Sequence, residues 1–101
     1  MRIYISGAIT DHLSDAKERF LKAEDEIIEK YGHHVEIINP YEVGQAVSRF
    51  AVPKHSDYMR VSLTLMDLCD AIYFIDGWKE SKGCNMEKKY AENIGLKVLK
   101  E

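Results

Sequence analysis

The chain is poor in the residues that would commit it to several common protein classes. It has only two cysteines in 101 residues, Cys69 and Cys84, and they form no CxxC pair. That usage excludes a disulfide framework and fits a reducing, cytoplasmic compartment. Arginine-rich and lysine-rich blocks are absent, and the net charge is −3. A surface of that sign does not attract nucleic acid electrostatically, so no nucleic-acid partner is expected. No apolar run approaches the length that crosses a bilayer, so no membrane partner is expected. No charged-then-apolar leader precedes Arg2, so nothing reads as a signal peptide. Internal repeats and low-complexity tracts are also missing. What remains is 46% hydrophobic and 31% charged. This is the balance of one soluble globular domain spanning residues 1–101, large enough to bury a core without disulfides or metal.

Strand and helix signals alternate along the chain. Arg2 to Ser6 is a β-branched and aromatic run stopped by Gly7. The loop from Gly7 to Asp11 leads into a helix capped by Asp11 or Ser14, with apolar positions at Leu13, Ala16, Phe20, Ile27, Ile28 and Tyr31 and a stop at Gly32. The Glu24-Asp25-Glu26 run is its solvated face. His34 to Ile38 reads as a second strand, ended by Asn39-Pro40. Residues 40–56 read as a loop with a short helical turn near Gln45 to Phe50. Ser56 or Asp57 caps a helix over residues 58–69 whose apolar arc exceeds half the circumference. A helix that apolar buries itself against two surfaces, so a homodimer or larger homo-oligomer through helix 58–69 is expected. Ala71 to Ile75 is the most continuously apolar strand, as a central parallel strand should be. A helix from Gly83 to Ile94 and a strand from Leu96 to Leu99 complete the chain. The alternation predicts an α/β fold: a small, flavodoxin-like, doubly wound parallel sheet of four strands in the order 2-1-3-4. Ligands in such sheets bind beyond the carboxyl ends of strands 1 and 3, where the loops Gly7-Ala8-Ile9-Thr10 and Asp76 to Glu87 meet.

One carboxylate is out of place in this pattern. At 100° per residue the last helix has an apolar arc of Met86, Tyr90, Ile94, Ala91 and Cys84, and Glu87 falls in its middle. A charge there needs a partner or a task. The plain alternative is an ion-paired glutamate favoured by the helix dipole. Around it, Gly7 and Gly83 let backbone N–H groups approach a ligand, the helix start suits an anion, and Ser81 adds a hydroxyl. Tyr4 offers a phenol, or is an ordinary strand aromatic. Trp78 stacks a base or packs on the neighbouring helix. Lys79 and Lys82 supply positive potential or are simply surface. His12 and His55 flank the crevice, and His33-His34 lacks a spaced third ligand, so no metal site is expected.

Ser81-x-Gly83-x-x-x-Glu87, after Asp76-Gly77-Trp78, resembles the nucleoside 2-deoxyribosyltransferase superfamily, as does Tyr4-Ile5-Ser6-Gly7. The resemblance covers essentially the whole chain. It is strongest to small bacterial and phage members and most specific from Cys69 to Glu87. It implies that Glu87 is a nucleophile toward the anomeric carbon of a (deoxy)ribosyl group and that Tyr4 positions it. It implies no cofactor. At the Ser81 position, transferases of free nucleosides carry an aspartate and monophosphate N-glycosidases a serine, so Ser81 implies a 5′-phosphate or other anionic nucleotide. Two positions depart from the family. Ser62 replaces an aspartate that contacts the base and can protonate it, and Asp76 replaces a proline and is a candidate substitute acid. Ser62, Asp76 and Trp78 are thus the base-side candidates; Gly7, Ile9, Thr10, Ser81 and Gly83 are the phosphate-side ones. The expected activity is hydrolysis or transfer at an N-glycosidic bond of a nucleotide or nucleoside 5′-monophosphate. The alternative is a nucleotide-binding sensor or sequestering protein that has lost the chemistry.

Overall fold

A computed structural model describes residues 1–9, 14–48 and 55–101. Four parallel strands form one sheet in the order β2-β1-β3-β4: β1 is Arg2–Ser6, β2 Glu36–Ile38, β3 Ala71–Phe74 and β4 Lys97–Lys100. The helices are α1 (Ala16–Tyr31), α2 (Pro40–Ser48), α3 (His55–Asp67) and α4 (Lys82–Ile94), with a single 3-10 turn at Trp78–Glu80. This is the doubly wound topology that the β-α alternation predicts.

The period-2 alternation of the inner strands divides the core in two. Ile3, Ile5, Ala71 and Tyr73 face α1 and meet Phe20, Ala23 and Ile27. Tyr4, Ile72 and Phe74 face the other way and meet Met66 of α3 with Cys84 and Ala91 of α4. Burying each large apolar side chain contributes roughly 1.5–3 kcal/mol, so these two layers hold the sheet between its helices. Tyr90 Oη donates to Asp67 Oδ1 at 2.5 Å, tying α4 to the end of α3.

Several boundaries differ from the sequence expectation. Residues 40–48 are a helix, not a loop with a later helical turn. Asn39 is its cap, its Oδ1 accepting from the Tyr41 N–H at 3.0 Å, and Pro40 is its first residue. Asn-Pro ends a strand, but asparagine before proline equally starts a helix, because proline has no N–H to leave orphaned there. The α1 cap position is Asp15, which makes no side-chain cap bond, so Ser14 is not the cap. Asp11 and Leu13 lie outside the described residues. In α3, Ser56 and Asp57 fall inside the first turn, since the helix begins at His55. The strand expected from His34 begins at Glu36. No helix among the described residues is long and apolar enough to cross a membrane.

Candidate active site

Glu87 is built into the core by two simple periodicities. Along β1, Tyr4 and Ser6 are two residues apart and share the face toward α3 and α4. Along α4, Cys84, Glu87 and Ala91 are the buried residues, spaced three and four apart. Met86 and Ile94, expected within this arc, are exposed at its margin. Glu87 thus lies on the centre line of the buried face, against β1.

The contacts are short and specific. Tyr4 Oη donates to Glu87 Oε2 at 2.5 Å, and Ser6 Oγ donates to Oε1 at 2.7 Å. Tyr4 and Ser6 are fully buried, and Glu87 is 6% exposed. The Ser62 hydroxyl also interacts with both the Glu87 carboxylate and the Tyr4 phenol. Among the described residues, none of the ion pairs includes Glu87. Among the described residues the carboxylate is therefore held by hydroxyls, with no ion pair.

Burial raises the Glu87 pKa above its ordinary value of 4.5, and the hydrogen bonds from Tyr4, Ser6 and Ser62 oppose that rise. Tyr4 is pushed well above the usual phenol range, first by burial and then by the Glu87 charge beside it. Such a carboxylate, lightly solvated and oriented through both oxygens, suits attack on, or stabilisation of, an electron-poor carbon.

The other expected residues separate into those the fold gathers here and those it does not. Ser81 caps α4, its Oγ accepting from the Cys84 N–H at 3.2 Å. Its hydroxyl also lies against the Cys84 thiol. The Lys82 and Gly83 N–H groups lie in the first turn, where no intrahelical acceptor exists. Gly7 is required by packing: a Cβ there would lie 2.7 Å from Ile75 Cδ1 and 3.1 Å from the Phe20 ring. Ile9 packs against the α1 side of the core. Trp78 is also a core residue, its ring centroid 4.6 Å from that of Phe74, so it packs rather than offering a stacking face. Asp76 has an 88% exposed side chain, 3.3 Å from Lys100 Nζ, and the same Lys100 lies 3.9 Å from Glu26 of α1. Asp76 is thus tied to the opposite face of the sheet and does not reach Glu87 as a substitute acid. Thr10 and His12 lie outside the described residues, as does the His55 side chain. His33 and His34 sit exposed in the turn before β2.

Two residues of this region were not singled out in the sequence. Ser6 was legible in principle, being two positions from Tyr4 on the same strand face. Arg19 had no such signal, since it stands among charged residues on α1. In the fold its Nη1 donates to the Ala8 carbonyl at 2.9 Å, and its side chain is only 20% exposed. Its charge also lowers the Cys84 thiol pKa against the stronger upward effect of burial, which places the guanidinium within electrostatic range of the first turn of α4.

A family model described as "Domain of unknown function (DUF4406)" matches residues 1–100. The chain belongs to that family. Among solved structures, a 2-desoxiribosyltransferase from Leishmania mexicana matches 98% of the chain with a TM-score of 0.67 at 17% identity. The DUF4406 chain spans 62% of that protein, and at this identity the likeness establishes a shared fold. No curated protein matches by sequence. Among the described residues, no cluster of three His, Cys, Asp or Glu side chains could hold a metal ion. An open surface recess of about 260 Å³ is lined by Asp76 to Glu80 and Glu101, and none of the Glu87 cluster lines it.

Proposed function

We propose that this DUF4406 protein cleaves or transfers the N-glycosidic bond of a nucleotide or nucleoside 5′-monophosphate, with Glu87 as nucleophile and Tyr4 as its positioning residue. One observation carries the reading: a buried carboxylate held through both oxygens by Tyr4 and Ser6, with no cation beside it among the described residues. A purely structural glutamate would be stabler paired with a cation or replaced by an apolar side chain. In the reaction, a Glu87 oxygen bonds to C1′ as the C1′–N bond breaks, and water or a second base then resolves the glycosyl ester. The Ser81 hydroxyl, the α4 N-terminus and the Arg19 guanidinium form the side that suits a phosphate. Incubating purified protein with nucleoside monophosphates and nicotinamide nucleotides tests the reading. Free base should appear, and Glu87→Ala should reduce its release by about 10³-fold or more; release that is absent, or unchanged in the variant, rejects the enzyme reading.

A second reading has its own support. With Ser62 where the superfamily has an aspartate, the protein could bind a nucleotide without turning it over. Ligand recovered intact after denaturation is the expected sign of that function.

The assembly we propose is a homo-oligomer through α3. Met59, Met66 and Cys69 are buried in the protein. Tyr58 and Leu68 are the exposed large apolar residues here, Leu68 at 56%, while Leu65 packs partly against the core.

A further inference from the structure

We propose that the preferred substrate carries a base that leaves without taking up a proton, namely an N-glycoside whose base is already cationic, such as a pyridinium or N7-alkylated purine nucleotide. This rests on the N-glycosidase reading and specifies its leaving group. Among the described residues, the groups around the Glu87 carboxylate are Tyr4, Ser6, Ser62 and Cys84, all hydroxyls or a thiol. Tyr4 and Ser6 already donate to the carboxylate, and Ser62 faces both it and Tyr4 from the inward side of α3, between Met59 and Met66. Burial makes Tyr4 and Cys84 weaker acids than usual. The exposed Asp76 is on the other face of the sheet with Lys100. Among the described residues, Glu87 has no carboxylic acid beside it.

A neutral purine or pyrimidine leaves as an anion unless an acid protonates it, and the lack of that acid costs about 10²–10⁴-fold. A cationic base avoids this cost. As a Glu87 oxygen bonds to C1′, the electron pair of the C1′–N bond passes to the ring and cancels its positive charge. Nicotinamide or 7-methylguanine then departs neutral, with no proton moved. Water next attacks C1′, freeing the carboxylate, and one proton passes to solvent.

The test compares three substrates on the unmodified protein: guanosine 5′-monophosphate, its 7-methyl derivative and nicotinamide mononucleotide, each measured against a protein-free blank. Expected is Glu87-dependent release of 7-methylguanine or nicotinamide at least about 10²-fold faster than release of guanine. Ser62→Asp should then raise the ratio of guanine release to 7-methylguanine release by about 10²-fold. Two carboxyls in contact share one proton, so one becomes the acid and the other stays the nucleophile. The substrate comparison stands even if that variant does not fold. Comparable, Glu87-dependent rates for guanosine and 7-methylguanosine monophosphates would overturn the leaving-group inference and leave the glycosidase reading standing. No Glu87-dependent release from any of the three would overturn both.

Discussion

At the scale of single residues, the proposed chemistry depends on a carboxylate whose solvent has been replaced by hydroxyls. Each hydrogen bond to a charged group is worth roughly 1.5–3 kcal/mol. Tyr4→Phe should therefore lower kcat/KM by about 10–100-fold and move the acid limb of its pH profile upward, as a profile of base release against pH would show. The limb itself should lie above the ordinary carboxylate range, because the proposed nucleophilic role requires ionised Glu87 and burial raises its pKa. Stability follows with a defined sign. The folded state keeps a proton on Glu87 at pH values where the unfolded chain has released it. That contribution is complete below the ordinary value of 4.5 and is lost as pH rises through the folded value. Glu87→Gln should remove this dependence, so denaturant titrations should show its stability relative to wild type improving as pH rises from 4.5 toward neutrality. Arg19 belongs to the proposed phosphate side. Arg19→Gln should raise KM for a 5′-monophosphate by about 10–100-fold, the worth of a charge-assisted bond, and leave the free nucleoside nearly unaffected.

At the scale of elements, α4 has to do two things from one end. Its first turn is capped by Ser81, and its second presents Glu87 to β1. Ser81→Ala should cost about 1 kcal/mol through the lost cap, a fall of roughly 4–8 °C in Tm for a domain of this size. It should also weaken the monophosphate more than the free nucleoside, and comparing Kd for the two separates capping from recognition. The strand β1 complements α4 by alternation: Ile3 and Ile5 serve the α1 core while Tyr4 and Ser6 serve the site. A one-residue slip of β1 would exchange these faces, so the register that secures the core also assembles the site.

For the whole molecule, the sheet is central and the apolar surplus lies outside it. Tyr58 and Leu68 are exposed apolar residues, Leu68 the more so, and the proposed interface centres on them. Leu68→Glu should shift the protein toward monomer in sedimentation or size-exclusion experiments with little loss of Tm, because Leu68 is already more than half exposed. If the wild-type protein runs as a monomer at high concentration, the α3 interface is rejected.

The periodicity of the chain is enough to determine the α/β class, the parallel strand order and the position of Glu87 within an apolar face. These are local patterns, read from spacings of two and of three to four residues. The start of α2 was ambiguous because Asn39-Pro40 serves equally to stop a strand and to start a helix. The resemblance implied Tyr4 as a partner of Glu87, and only the tertiary structure added Ser6 and the contact geometry. It brought Tyr4 and Ser6 to one carboxylate across 83 and 81 residues of chain. It also carried Asp76 to the opposite face and committed Trp78 to the core. Long-range contacts of this kind depend on how the sheet packs against its helices, and no local spacing encodes them. So the carboxylate was legible from the sequence alone, whereas its hydroxyl setting, without a neighbouring acid among the described residues, came from the fold.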